Sequence, residues 1–169
     1  MDTLEARARF QELRAKDGLV SPVELDEIWA ALATARPEDI LGGWKGGEFR
    51  TGHPLEGMLA EADWYGKTFV ALHDAKPLMC RNAAGELYSN RELGQGEASL
   101  WTVEFRGEPT ATMVYDGRPV LDHFKWVDDT TLMGIMNAKG VPPEGPFYYF
   151  FLDRAPEPPH EGPRADEGS

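Results

Sequence analysis

Four histidines, His53, His73, His123 and His160, are the first residues from which acid–base or metal chemistry could come. Their spacing argues against a metal, because no His-x-His or His-x₃-His pair exists that a strand or helix would turn into adjacent ligands. Asp122-His123 stands apart, since it lies inside a run with strand periodicity. Adjacent strand residues point to opposite faces, so Asp122 cannot orient His123 directly. Val120, Asp122, Phe124 and Trp126 fall on one face, and Leu121, His123, Lys125 and Val127 on the other. Both faces are mixed, which leaves room for a polar group to point inward. A buried Asp or His needs a hydrogen-bond partner. Inside a cavity a ligand head group can be that partner; a satisfied core residue is the equal alternative.

Nucleophilic chemistry finds less support. Ser89, Ser99 and Cys80 have no base nearby in the pattern, and there is no Gly-x-Ser-x-Gly elbow. Cys80 alternates with Leu78 and reads as a small buried hydrophobe. Gly94-x-Gly96 precedes a strand, not a helix, and glycines 42 to 47 lack the Lys-Ser/Thr ending of a phosphate loop. What remains is a surplus of aromatics: Phe105, Tyr115, Phe124, Trp126 and the run from Phe147 to Phe151. Core packing accounts for most of them, and an apolar lumen would account for the rest. Tyr115, Arg118 and His123 are the candidates for head-group contacts, with Phe105, Phe124 and Trp126 as apolar lining. The expected function is non-catalytic binding of a small hydrophobic molecule, a lipid or fatty acid, with no cofactor and no metal. An enzyme using a lumenal His or Asp on a hydrophobic substrate is one rival. A protein-interaction module acting through the N-terminal helices is the other.

Composition limits the partners. A net charge of −12 over 169 residues argues against nucleic acid, whose phosphates demand an excess of Lys and Arg. A single cysteine allows neither an intrachain disulfide nor a thiolate zinc cluster. No apolar leader or spanning run is present, so a soluble cytoplasmic protein with no transmembrane segment is expected.

The elements that must position these residues begin with two helices. Asp2 and Glu5 have capping-box spacing, and Leu4, Phe10 and Leu13 form a stripe that stops at Gly18. Ser21, Pro22 and Glu24 start the second, with Leu25, Ile28, Trp29 and Leu32 on one face until Pro37 ends it. Residues 1–36 thus form a helical hairpin packed on the β-rich remainder of the chain. Next comes a glycine-dense run from Leu41 to Trp64, costly for an ordinary strand and sensible where backbones approach closely. A short helix is expected over Pro54 to Ala62. Strands are expected at Thr68–Leu72, Leu78–Arg81, Glu86–Ser89, Ala98–Phe105, Glu108–Tyr115, Arg118–Val127, Thr131–Asn137 and Phe147–Asp153. Arg106-Gly107, Asp116-Gly117 and Asp128-Asp129 suit two-residue hairpins. That leaves no room for crossover helices, so the sheet is an antiparallel meander. About eight strands, counting the Trp44 strand, close into an up-and-down barrel able to hold one small ligand. A half-open sheet wrapped around the helices is the alternative. Residues 155–169, rich in Pro and acid, read as a disordered tail.

Gly42-Gly43-Trp44-Lys45-Gly46 matches the Gly-x-Trp-x-Gly signature, and with Thr51-Gly52-His53-Pro54 and Trp64-Tyr65-Gly66-Lys67-x-Phe69 the chain resembles the GXWXG family. Its second half, from Glu104-Phe105-Arg106-Gly107 through Met113-Val114-Tyr115-Asp116-Gly117 and Asp122-His123-Phe124 to Asp128-Asp129, is similar to the domain of unknown function that accompanies that family. Within a single barrel over 37–154, the first part spans 37–100 and the companion 101–154. The resemblance implies a small β-barrel-like protein that binds a lipid or other hydrophobic ligand, and it supplies no catalytic set. A looser similarity is to the calycins, the lipocalin-like barrels. It implies a turn at Pro37-Glu38-Asp39-Ile40, Trp44 closing one barrel end between Gly42 and Gly46, and a basic residue, Arg154 or Lys139, packed across that Trp.

Overall fold

The computed structural model describes residues 1–155; the expected tail beyond Ala155, with His160, lies outside the described residues. Helices α1 (Thr3–Arg14) and α2 (Pro22–Ala31) open the chain. The Asp2–Glu5 capping box forms in both directions at 2.9 Å. The second box does not form. Ser21 makes no side-chain cap bond, and Glu24 pairs instead with Arg9 of the first helix. Nor does α2 run to Pro37. Leu32 is already extended, and Ala33–Thr34 (β1) pairs with Trp126 and Lys125. Pro37 opens a 3₁₀ turn, Pro37–Asp39.

Nine further strands complete the sheet: β2 (Gly42–Glu48), β3 (Trp64–Ala71), β4 (Asp74–Arg81), β5 (Leu87–Ser89), β6 (Ala98–Phe105), β7 (Glu108–Tyr115), β8 (Val120–Asp128), β9 (Thr131–Ala138) and β10 (Tyr148–Arg154). Two short helices lie between them, α3 (Met58–Glu61) and α4 (Arg91–Gly94). The protein is mainly β, and all of its strand pairs are antiparallel. The meander β2-β3-β4-β6-β7-β8-β9-β10 returns on itself, with β10 pairing along β2 so that Arg154 faces Trp44. The result is a closed ring of eight strands, with β1 and β5 paired onto β8 and β4. Closure leaves the ring no free edge.

Two of the three expected hairpins differ in detail. Arg106-Gly107 is a two-residue turn with both residues at positive φ. The β8–β9 turn is displaced by one residue, to Asp129-Thr130. Asp116-Gly117 belongs instead to a longer link, from Asp116 to Pro119. A Cβ on Gly117 would lie 1.8 Å from the Gln95 carbonyl oxygen, so that glycine serves a close approach and not a tight hairpin.

Strand alternation sorts the core into two layers. Inside the ring lie Trp44, Phe69, Met113, Phe124, Leu132, Phe150 and Leu152. On the outer wall, Val127, Met133, Ile135 and Tyr149 are covered by Phe10, Leu25, Ile28 and Trp29 of the two helices.

Candidate functional site

The ring is filled at one end and hollow at the other, and the pairing register orders the levels. Trp126 faces Leu132, which faces Leu152; Phe124 faces Gly134, which faces Phe150; Asp122 faces Met136, which faces Tyr148. At the filled end Trp44 is fully buried, its indole N–H donating to the Ile40 carbonyl at 2.9 Å. Trp126 packs 6.2 Å away, and the Arg154 guanidinium lies 4.3 Å from the Trp44 ring centre. Arg154 also donates to the carbonyls of Leu41 and Asp39, tying the 3₁₀ turn across this end. The motif glycines make space for neighbours: Arg154 Nη1 would lie 3.3 Å from a Cβ on Gly42, and the Trp64 ring about 2 Å from one on Gly46. The middle is plugged by Phe124, with Phe69 at 5.7 Å and Phe150 at 5.9 Å. A side chain on Gly134 would collide with that Phe150 ring.

Past this plug lies a cavity of about 90 Å³. Leu55, Leu59, Trp64, Leu78, Met136 and Phe150 give it apolar walls, and Met58 of α3 stands half-exposed beside it. Three polar side chains break the apolar surface. Lys67 from β3 and Asp122 from β8 form an ion pair at 3.0 Å with side chains only 3% exposed each. Tyr115 from the end of β7 lines the same space. The Lys67 ammonium also donates to the Pro77 carbonyl at 3.2 Å and lies 5.3 Å from the Phe150 ring centre and 5.6 Å from that of Trp64. Asp122 is less fully served: Oδ1 is buried with no hydrogen-bond partner. Burial pushes the Asp122 carboxyl above its ordinary range, opposed by Lys67. Burial, and then the charge of Asp122, hold the Tyr115 phenol well above its ordinary value, so it stays protonated and able to donate.

The wall beside the opening is braced by a second set. The Tyr148 hydroxyl donates to Glu48 Oε2, while Glu48 Oε1 accepts from the Gly57 amide at 3.3 Å. Glu56 accepts the amides of Thr51 and His53, and burial holds the Tyr148 phenol far above its usual range. The segment carrying Leu55 and Leu59 is thus anchored at both shoulders by carboxylates.

Of the residues singled out from sequence, Tyr115 lines the cavity. Phe124 and Trp126 are interior but belong to the plug and the closed end. Arg118 lies on the surface, donating to the Leu93 carbonyl at 2.7 and 3.0 Å. Phe105 and His123 face the outer layer, stacked on each other at 4.0 Å, with His123 Nδ1 2.8 Å from Thr112 Oγ1. The physical reason is the alternation itself. With Asp122 inside, His123 must be outside, under the helices. His53 packs near Tyr148, and His73 stacks on the exposed Trp101. Cys80 is buried and free, its thiol pushed up by burial. Among the described residues no group of three or more His, Cys, Asp or Glu could hold a metal ion, and no helix is long and apolar enough to cross a membrane. Sequence reasoning missed Lys67. Its signal is a lysine two residues before Phe69 in its strand, a position that alternation puts on the same, inner face as Phe69.

Two family models match the chain in order: GXWXG protein over residues 27–85, and a domain of unknown function (DUF4334) over residues 96–154. Among solved structures, a protein from Thermomonospora curvata is 37% identical, with a TM-score of 0.80 over 89% of this chain and 99% of that one. No curated protein matches the chain. With both models matched in sequence order and that relative aligned over nearly its full length, the chain belongs to the GXWXG family and carries its companion domain of unknown function.

Proposed function

We propose that the ring works as a small calycin-like barrel that binds a small, largely apolar molecule, such as a lipid, with its polar end at Lys67, Asp122 and Tyr115. The carrying observation is the unpartnered Asp122 Oδ1 beside an apolar cavity. A buried acceptor without a donor costs about 1–3 kcal/mol, and more when charged, which a bound ligand would relieve. Each buried methylene adds about 0.8 kcal/mol, so an apolar body contributes the rest of the affinity. The filled Trp44 end leaves one way in, beside Leu55 and Leu59. A cytoplasmic setting belongs to the same reading, in keeping with a single, unpaired cysteine.

Native mass spectrometry of the freshly purified protein, followed by organic extraction, tests this. A co-purifying apolar compound that is lost in Met136→Trp, which fills the cavity without altering its charge, supports the proposal. A bare protein with no thermal shift against a panel of lipids and small apolar molecules rejects it.

A second reading has its own observation: a carboxyl raised by burial, next to a neutral phenol, is a proton-transfer pair. Asp122 would take a proton from carbon next to a ligand carbonyl, and the electron pair would move onto the carbonyl oxygen facing Tyr115. The carboxyl proton exchanges with solvent, and a solvent-derived proton then returns from Asp122 to the carbon. Deuterium uptake from D₂O into small apolar ketones, abolished in Asp122→Asn, would mark this activity.

A further inference from the structure

Resting on the binding proposal, we infer that the cavity selects neutral molecules carrying a hydroxyl or other hydrogen-bond donor on an apolar body, and rejects carboxylates, fatty acids included. The argument starts from the charges. One cation and one carboxylate face the space, and they already neutralise each other at 3.0 Å. An ammonium has three donors. Two of those of Lys67 are directed to Asp122 Oδ2 and to the Pro77 carbonyl, and aromatic faces from Phe150, Trp64 and Tyr115 surround the charge. A ligand carboxylate would bring a second negative charge to a single, already committed cation, and burying an uncompensated charge is strongly unfavourable.

The unfilled valence has the opposite character. Asp122 Oδ1 is an acceptor, so only a donor satisfies it. A hydroxyl does so through a charge-assisted bond, stronger than a neutral one. The Tyr115 phenol can then donate to the lone pairs of the ligand oxygen. The rim pushes in the same direction, since the charges of Glu48 and Glu56 are both felt at Tyr148, on the cavity wall. Size completes the description. A single water needs about 10–15 Å³ of cavity, so this one holds a molecule of several heavy atoms, or the polar end of a longer one emerging past Met58.

The test uses matched compounds and the unmodified protein. p-Cresol, p-toluate and p-xylene share one apolar body, and decan-1-ol and decanoate share another. Isothermal titration at pH 7.5 should rank p-cresol about tenfold or more tighter than both p-xylene and p-toluate, and decan-1-ol above decanoate, one good hydrogen bond to a charged group being worth that much. In Asp122→Asn the Lys67 charge loses its partner, and the preference should turn toward p-toluate. A carboxylate that binds the unmodified protein as tightly as its neutral counterpart overturns the inference and leaves the binding proposal standing. So does p-xylene matching p-cresol. If none of the five compounds binds, while cavity-filling Met136→Trp changes nothing that co-purifies, the binding proposal itself fails and takes this inference with it.

Discussion

Of the lysines buried in this protein's wall, Lys67 and Lys125 lie on opposite faces, and their surroundings differ in a way that separates scaffold from site. Lys125 on β8 points outward beneath the helices. Its side chain is fully buried, and its ammonium donates to the Trp29 carbonyl at 3.0 Å and to Glu108. Trp29 lies in the last turn of α2, where, of backbone donors, its carbonyl accepts only the Leu32 cap amide at 3.2 Å and the C-terminal end of the helix attracts cations. Glu108 is 46% exposed, so water completes its hydrogen bonding. Both charged groups there are partnered in holding α2 against the sheet, and the buried atom left without a partner beside them is a donor, the Trp29 indole N–H, not a carboxylate oxygen. Lys67 points inward, and its carboxylate, Asp122, is 3% exposed with one oxygen unserved beside a cavity. Burial of an ion pair is therefore not what marks a site. The orphaned acceptor and the adjacent cavity are.

The widest gap between the two should appear when each lysine is removed. Lys67→Met strands Asp122 as a buried, unpaired carboxylate, which typically costs about 3–5 kcal/mol. Replacing the whole pair, Lys67→Met with Asp122→Leu, removes both charges and should restore most of that loss, because apolar residues of similar volume substitute well for buried pairs. Chemical denaturation of the two variants measures both numbers. A double variant no more stable than the single would mean that Asp122 carries no burial penalty, and the contrast with Lys125 would collapse.

The parts that could be read from the sequence share a physical basis. Hairpin turns and alternation are local, so β6 and β7 emerge with the expected bounds, Ala98–Phe105 and Glu108–Tyr115. The closed meander is a consequence of short links. Arg154 across Trp44 came with the looser resemblance to calycins, and the register of β10 on β2 provides it. What stayed hidden is non-local. That β8's Asp122 face would be the inner one required knowing where the helices pack, and both faces were chemically mixed. His123 therefore looked as plausible a lumenal group as Asp122. Lys67 becomes meaningful only when β3 is brought against β8 across the ring interior, and no spacing within either strand encodes that. Gly117 misled for a related reason. Its neighbour Asp116 imitates a tight-turn pair, whereas the constraint comes from the Gln95 carbonyl, distant in sequence.

On the outer face, a second effect of smaller size distinguishes scaffold from site. His123 is stacked on Phe105 with its Nδ1 on Thr112, and burial, helped by nearby Arg106, lowers its pKa to about 4. The unfolded chain protonates this histidine near its ordinary value of 6.5, and the folded one resists until about 4. Stability is therefore unaffected at neutral pH and is lost as pH falls between those two values, by roughly 2–3 kcal/mol in all. His123→Phe keeps the stacking and cannot take the proton. Denaturation midpoints from pH 7 to 4 should fall less steeply in the variant, while binding of an apolar ligand at pH 7 stays unchanged. A ligand affinity that dropped with His123→Phe would place this imidazole in the site after all.

The smallest effect belongs to the outer lysine, and it is the one on which the comparison turns. In Lys125→Met the aliphatic stem keeps its packing against Trp29, whose ring lies 5.3 Å from the ammonium. Glu108, half in water, is rehydrated without penalty. What is lost is the cation on the C-terminal carbonyl of α2, worth about 1–2 kcal/mol in a buried setting. The loss should be local as well as small: amide exchange should quicken at the end of α2 and in β1, directly after it, and not in the strands around the cavity. Should Lys125→Met instead cost as much as Lys67→Met, the half-exposed Glu108 would not be acting as a solvated partner. Both lysines would then be equivalent structural pairs, and the orphaned oxygen of Asp122 would have to stand alone as the mark of a binding site.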